Sequence, residues 1–301
     1  MEMLLGYLGP EGTYSEEAAY QYAVSSADSG SYLLRPYPAI DGIFTAIAGK
    51  EIDRGVVPVE NCLEGSVNLT LDLLSRNTDT VKIRGESLCR IEHFLLARRL
   101  AGPAQPAQLD QPARPGQRPA VIEEIYSHPQ ALAQCRAFLD RHYPGAARIS
   151  ISSTAEAAAL VARQVGKTAG MAAIASRQAA ALYGLEVLRA NIQDEPYNIT
   201  RFLILATQDA APSGDDKTSL LIGLPDQPGS LHAALGIFAA HNLNLTKIES
   251  RPIRGELGKY IFFLDIEGHR KDENVAGALQ AIKEKALFLK ILGSYPRAVS
   301  S

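Results

Sequence analysis

The chain has no tryptophan, only three cysteines in 301 residues, and no surplus of charge of either sign. The missing tryptophan decides nothing about function. The cysteines are more informative: Cys62, Cys89 and Cys135 are odd in number, far apart, and contain no C-x-x-C pair. That spacing argues against a disulfide framework and against a zinc site, and fits a reducing, cytoplasmic setting. Thirty basic residues face 33 acidic ones, a net charge of -3, so no cationic excess exists to displace counterions from a nucleic acid. No run approaches the roughly 18 apolar residues that a membrane span needs. Residues 1–9 carry neither a cationic segment nor a long apolar stretch, so no secretory signal is expected. H-E-x-x-H, the P-loop and G-x-G-x-x-G are all absent, which leaves metal, nucleotide and dinucleotide chemistry without support; no cofactor and no metal are expected.

What is present is an ordinary globular composition, 46% hydrophobic and 21% charged. The length exceeds one comfortable core and suits two domains of roughly 150 residues. Over the first two hundred residues, short apolar runs alternate with helical patterns. Strands are predicted over 3–8, 33–37, 55–59, 81–83, 91–96, 121–126, 149–151, 168–171, 186–188 and 202–206. Helices are predicted over 15–22, 40–47 and 67–74, with alanine-rich ones over 155–165 and 172–182. Such alternation implies parallel sheets with right-handed crossovers. Residues 101–119 hold five prolines and read as an exposed or disordered loop. Residues 208–216 read as the main domain linker. Beyond it, strands over 218–224, 245–250, 260–266 and 288–292 and two helices give β-α-β-β-α-β, the ferredoxin-like order.

Several groups could carry chemistry. Thr13-Tyr14-Ser15-Glu16, Ser127-His128-Pro129-Gln130 and Ser153-Thr154-Ala155-Glu156 each fit S/T-x-x-E/Q after a strand, the capping-box pattern. They can simply be well-started helices. Converging on a cleft, they would also form a site for a small anion, because helix N-termini present free N–H groups and a positive dipole end. In open α/β sheets that cleft lies at the carboxyl ends of the strands. Glu60 and Asn61 sit in a polar turn after a strand; they read as an Asx-capped turn or as a carboxylate–amide site pair. Asn198-Ile199-Thr200-Arg201-Phe202 leads into a strand. Thr200 is a polar strand-entry residue, or a hydroxyl that donates to a leaving group in a dry site. His128 is the only histidine beside a candidate site, and reads as a capping-turn residue. Cys62 reads as a small apolar residue. In the second domain, Asp226 to His232 and Glu249-Ser250-Arg251-Pro252 read as tight loops or as a second ligand site.

Taken together, these motifs resemble the prephenate dehydratase family with a C-terminal ACT regulatory domain. Gly9-Pro10-Glu11-Gly12-Thr13-Tyr14-Ser15, Pro58 to Gly65, Ser127 to Leu132 and Asn198 to Phe202 resemble its catalytic motifs in order. Gly229-Ser230-Leu231-His232 and Glu249-Ser250-Arg251-Pro252 resemble the two effector motifs. The resemblance runs from about Leu4 to Pro296. Cys62 departs from it, standing where the family usually has serine.

The resemblance implies an α/β catalytic domain over 1–207 in two lobes similar to type II periplasmic binding proteins. Lobe limits near 1–83 with 186–207, and 84–185, are expected, then a linker over 208–216 and an α+β ferredoxin-like ACT domain over 217–297. It implies a carbon–oxygen lyase that decarboxylates and dehydrates prephenate to phenylpyruvate in phenylalanine biosynthesis. No chorismate mutase segment precedes Gly9, so a monofunctional enzyme is expected. Carried over onto this sequence, Thr200 is the proton donor, with Asn198, Glu60 and Asn61 around it. Thr13, Ser127, Gln134, Ser153, Thr154 and Phe202 form the substrate shell, and Glu156 caps its helix. Phenylalanine would be the feedback effector, held by Asp226, Pro228, Gly229, Ser230, Leu231, His232, Asn244, Leu245, Glu249, Ser250 and Arg251. A homodimer or dimer of dimers through ACT domains is implied. Arogenate dehydratase and a non-catalytic amino-acid-sensing module are the alternatives; a transcriptional regulator lacks its helix-turn-helix and basic face.

Overall fold

Three sheets organise the described residues, each generated by a different stretch of the alternation seen in the sequence. The computed structural model describes residues 2–26, 30–98, 122–164, 170–252 and 260–298. The proline-rich segment 101–119, the first half of the strand expected at 168–171 and the turn expected at 254–258 lie outside those residues.

The first sheet has the order β2-β1-β3-β11-β5, formed by Tyr32–Tyr37, Met3–Leu8, Arg54–Asn61, Ile199–Ala206 and Lys82–Arg90. A two-residue β4 (Gly65–Ser66) pairs with β3. The helices α1 (Tyr14–Ser25), α2 (Ile40–Ala48) and α3 (Asn68–Arg76) flank it. β1 runs parallel to β2 and β3, whereas β11 is antiparallel to both its neighbours.

The second sheet repeats this plan. Its order is β10-β6-β9-β7-β8: Glu186–Arg189, Phe94–Ala97, Met171–Ala175, Glu124–Ser127 and Ala147–Ser150. Here β6 is the antiparallel insert. Four helices accompany it: α4 (Pro129–Gln134), α5 (Arg136–His142), α6 (Thr154–Arg163) and α7 (Arg177–Tyr183). Each lobe therefore receives one strand from the chain as it crosses between lobes, β6 going out and β11 coming back. That exchange is the physical basis of the two-lobed fold, and it moves the expected limits. β5 belongs to the first sheet, not to a lobe starting at 84, and β10 belongs to the second, not to a return segment starting at 186.

One expected helix is corrected. Residues 172–182 read as alanine-rich helix, but Met171–Ala175 is strand β9, fully enclosed between β6 and β7. Alanine is the best helix former, but propensity yields to tertiary context, and the small side chains let helices pack closely on this central strand. Ser176 then caps α7 by accepting from the Ala179 N–H at 3.0 Å. The strand expected over 91–96 is also broken at 91–93, and that break brings His93 into the site described below.

The third sheet has the order β13-β14-β12-β15, formed by Leu245–Pro252, Tyr260–Glu267, Asp216–Gly223 and Phe288–Pro296. The helices α8 (Ser230–Ala240) and α9 (Glu273–Lys285) cover one face, packing Phe238, Val275 and Ile282 on Leu220, Ile222, Leu264 and Ile266. Much of the other face packs on the first lobe instead of meeting solvent. Leu221, Phe263, Leu292 and Tyr295 join the same core as Ile83, Leu203, Leu205 and Leu74 of the first lobe. Alternation along each strand thus sends one set of side chains under the helices and the next set onto the catalytic lobe. The linker stretch belongs to this junction: the Asp209 carboxylate pairs with Arg270 at 3.0 Å.

Candidate active site

β3 and β11 set the centre of the site. Asn61 and Thr200 are register partners across these strands, and both are buried. Asn61 Nδ2 donates to Thr200 Oγ1 at 2.9 Å and to Asn198 Oδ1 at 2.7 Å. Asn61 Oδ1 accepts from the Leu63 and Glu64 N–H groups at 3.0 and 3.1 Å. The turn expected at Asn61 is therefore present, and it holds the amide with its donor end toward the threonine. Because Thr200 Oγ1 already accepts a hydrogen bond, its own proton is left for another acceptor.

The chain of amides continues into the second lobe. Asn198 is fully enclosed and donates to Gln134 Oε1 at 3.0 Å. Gln134 Oε1 also lies 2.9 Å from His93 Nε2. An amide oxygen only accepts, so His93 carries its proton on Nε2 in this arrangement. Gln134 Nε2 donates to Glu64 at 3.3 Å, and the Tyr14 hydroxyl lies 3.3 Å from His93 Nδ1 while donating to the Glu92 carbonyl at 2.5 Å. A cavity of 250 Å³ lined by Leu63, Gln134, Gln193, Asp194 and Asn198 opens beside this chain. His93, Tyr14 and Glu64 were not singled out in the sequence. The sequence points to His128 as the only histidine near a site; the break between β5 and β6 places His93 there instead. Set between Glu92 and Phe94 in no recognisable motif, His93 gives no local signal.

Burial holds the His93 pKa below its ordinary 6.5, opposed by the Gln134 hydrogen bond. Unfolded, this imidazole binds a proton more readily than folded. Its contribution to stability is thus complete above pH 6.5 and is lost as pH falls through the lower native value. His128, also lowered by burial, adds in the same direction. The expected outcome is a melting temperature that drops on acidification below pH 6.5, with a shallower drop in His93→Gln. An equal slope in the variant, read by calorimetry across that range, would remove His93 as the cause.

Other predicted residues are placed differently. Thr13 caps α1, accepting from the Glu16 N–H at 3.4 Å, and donates to the Leu8 carbonyl at 3.0 Å. Ser153 caps α6 at 3.0 Å, and Thr154 is the first helical residue. The Glu156 carboxylate accepts from the Ser152 hydroxyl. The N-terminal parts of α1 and α7 meet where the Ser176 hydroxyl donates to the Gly12 carbonyl at 3.0 Å. Pro10 shares a cleft of about 770 Å³ with Glu156, Arg163 and Tyr183. Thr13, Ser153 and Thr154 make no hydrogen bond to the Thr200 chain among the described residues.

Three expectations are corrected. Ser127 is not a cap: His128 Nδ1 accepts from the Gln130 N–H, and the buried Ser127 hydroxyl donates to the Ile174 carbonyl at 2.6 Å, into the lobe. Phe202 is core, packed with Leu5, Tyr7, Ala18 and Ala19. Glu60 does not accompany Asn61. Adjacent strand residues face opposite ways, so Glu60 points to the third sheet and accepts from Lys247 Nζ at 2.9 Å.

Arg201 turns the same way as Glu60. It donates to Glu86 at 2.7 Å, to Asp265 at 2.6 Å and to the Tyr295 hydroxyl at 2.9 Å. Burial opposes its charge, but Asp265, Tyr295 and Glu86 hold its pKa above the ordinary arginine value. Lys217 joins Glu86 at 2.9 Å, so two cations meet two carboxylates in an enclosed cluster.

The expected effector residues divide between two faces of the third sheet. Asp226, Pro228, Gly229, Ser230, Leu231 and His232 form the turn into α8, where Gly229 (φ 84°) supplies the left-handed backbone. Asn244, Leu245 and Ser250 lie before and along β13. Glu249 and Arg251 reach the catalytic lobe instead: Glu249 accepts from Ser66, and Arg251 donates to Asn68 and, at 2.7 Å, to Asp72. Cys62 is exposed, and its Sγ lies 3.1 Å from the Ile199 nitrogen, so it is a backbone contact of the site, not an apolar filler.

Comparison with known proteins agrees with this geometry. Residues 5–210 match the family described as prephenate dehydratase, and residues 218–284 match the ACT domain. A bifunctional chorismate mutase/prephenate dehydratase of Stutzerimonas stutzeri is 42% identical over 98% of this chain and 73% of its own length. A prephenate dehydratase of Bacillus subtilis is 36% identical over 97% of this chain and 98% of its own. Among solved structures, a prephenate dehydratase from Arthrobacter aurescens in complex with L-Phe superposes with TM-score 0.79 at 34% identity, covering 98% of this chain and 90% of that one. The chain belongs to the prephenate dehydratase family of lyases that act in phenylalanine biosynthesis, and it carries that family's ACT module for feedback control after the catalytic lobes.

Proposed function

We propose that Thr200 is the acid of a decarboxylating dehydration of prephenate, working within a catalytic unit over 1–207 under an ACT unit over 217–297. One observation supports this most: Asn61 donates to Thr200 Oγ1, so the threonine proton points elsewhere. In the reaction, the ring–carboxylate bond breaks and carbon dioxide leaves. Its electron pair enters the ring, and the ring C–O bond breaks. The departing hydroxide takes the Thr200 proton and leaves as water, and the threonine regains a proton from solvent. Negative charge develops on Oγ1 as its proton moves, and the fixed Asn61 N–H is aimed at that oxygen. Free threonine is a poor acid; the enclosed, prepaid hydrogen bond is what makes this transfer reachable.

Asn198 and Gln134 hold Asn61 from behind and join the two lobes, so lobe closure sets the geometry at Thr200. Prephenate is a dianion, and the N-termini of α1 and α6 supply N–H groups for its carboxylates. No step needs a metal or cofactor. Phenylalanine is the effector, taken up by the α8 turn and β13. Exposed Ile248 lies on β13, an edge strand of its sheet, which supports pairing of two ACT domains along this edge.

The test is phenylpyruvate formation by the purified chain with no added metal, with and without phenylalanine, with arogenate as a parallel substrate. Turnover of prephenate that falls on adding phenylalanine is the expected result. Turnover of arogenate alone would change the substrate, and turnover indifferent to phenylalanine would remove the effector.

A further inference from the structure

The two strands that carry Asn61 and Thr200 are read from both sides. Asn61 and Thr200 are register partners, and so is the next pair, Glu60 and Arg201. Because side chains alternate across a sheet, the first pair faces the site and the second faces the ACT sheet. Every ACT strand that reaches the second pair does so with a polar group. Lys247 on β13 holds Glu60 at 2.9 Å. Asp265 on β14 holds Arg201 at 2.6 Å, and Tyr295 on β15 holds it at 2.9 Å. Ser219 on β12 fixes both of these, at 2.5 Å to Asp265 and 2.6 Å to the Tyr295 hydroxyl. Lys247 also lies 3.6 Å from Glu249, within the Glu249–Pro252 motif.

We propose that Glu60 and Arg201 are positioning residues of the reaction, through which the docked ACT sheet sets the Asn61–Thr200 pair. This rests on the reading of Thr200 as the acid. The backbone of β3 and β11 is shared by both pairs, and the register shifts just after Arg201, between Arg201 and Phe202. A shift of the ACT strands therefore pulls on two side chains whose backbone neighbours are Asn61 and Thr200. The ligands Asp265 and Tyr295 are supplied wholly by the ACT domain, so the catalytic lobes alone leave the buried guanidinium with Glu86 as its close carboxylate. Displacements of about 1 Å at reacting groups can cost about a hundredfold in rate.

The experiment uses the full chain and two ACT-side variants, Asp265→Asn and the milder Tyr295→Phe, each made alone and with Thr200→Val. With Thr200 present, kcat is expected to fall about tenfold in Asp265→Asn and less in Tyr295→Phe, with KM for prephenate unchanged. In the Thr200→Val background the same substitutions are expected to cause no further loss, since the group they position is gone. Arg201→Lys, which keeps charge but loses the fork, is expected to resemble Asp265→Asn. Equal losses in both backgrounds would show general disruption and overturn the proposal. Unchanged kcat in folded Tyr295→Phe and Asp265→Asn would do so too; if Asp265→Asn fails to fold, Tyr295→Phe decides. A wild-type kcat in Thr200→Val alone would instead refute the acid assignment, a result distinct from either.

Discussion

Thr200→Val is expected to lower kcat for prephenate by about a thousandfold while leaving KM near its wild-type value. The substitution keeps the branched shape that fits β11 and removes only the proton and its oxygen. Asn61 retains its 2.7 Å bond to Asn198, so the amide chain stays in place. Loss confined to kcat marks an interaction made in the transition state. Thr200→Ser restores a hydroxyl at the same position and should recover most of the rate. The measurement is steady-state kinetics on both variants with substrate binding followed by calorimetry. A valine variant retaining more than about a tenth of wild-type kcat would exclude Thr200 as the acid, because a lost proton donor costs at least about a hundredfold.

The second large effect concerns docking. Gly293→Ala places a Cβ 2.0 Å from the Ile83 carbonyl oxygen and 2.8 Å from the Ile83 nitrogen. Both contacts are backbone, so no rotamer change relieves them. β15 must lift from β5, and the Leu221, Phe263 and Leu292 face loses its seat on the first lobe. Overpacking of this kind costs about 3 kcal/mol. The ACT core around Phe238 and Val275 lies on the opposite face and is untouched. A melting curve that drops and separates into two transitions is therefore expected, together with weaker inhibition by phenylalanine. A single transition at the wild-type temperature would mean that the Gly293–Ile83 contact does not govern docking of the two units.

The docking surface also explains why Glu60 departs from its expectation. From the sequence, Glu60 and Asn61 look like one site pair, because both end a strand. Only the presence of a second sheet behind β3 turns the first residue away, and that sheet comes from residues some 190 positions later in the chain. The same holds for Arg201, which follows Thr200 along β11 but faces the third sheet with Glu60. Ser127 fitted a capping pattern, but the chain reached the helix one residue later, and the hydroxyl found a carbonyl on a neighbouring strand. Alanines at 172–175 look helical until two strands and two helices enclose them. In each case the local pattern was real and a long-range contact outweighed it.

The sequence by itself determined the alternation of strand and helix, the β-α-β-β-α-β unit after residue 216, and the motifs around Asn61, Asn198 and Thr200. These are local: periodicity, turn residues and short spacings, all carried by neighbouring residues. Tertiary structure alone decided which face of β3 and β11 each residue serves, which lobe owns β5 and β10, and that His93 and Gln134 close the amide chain. The physical reason is that strand pairing, lobe exchange and sheet docking bring together residues from 41 to 187 positions apart, and no short window along the chain contains both partners.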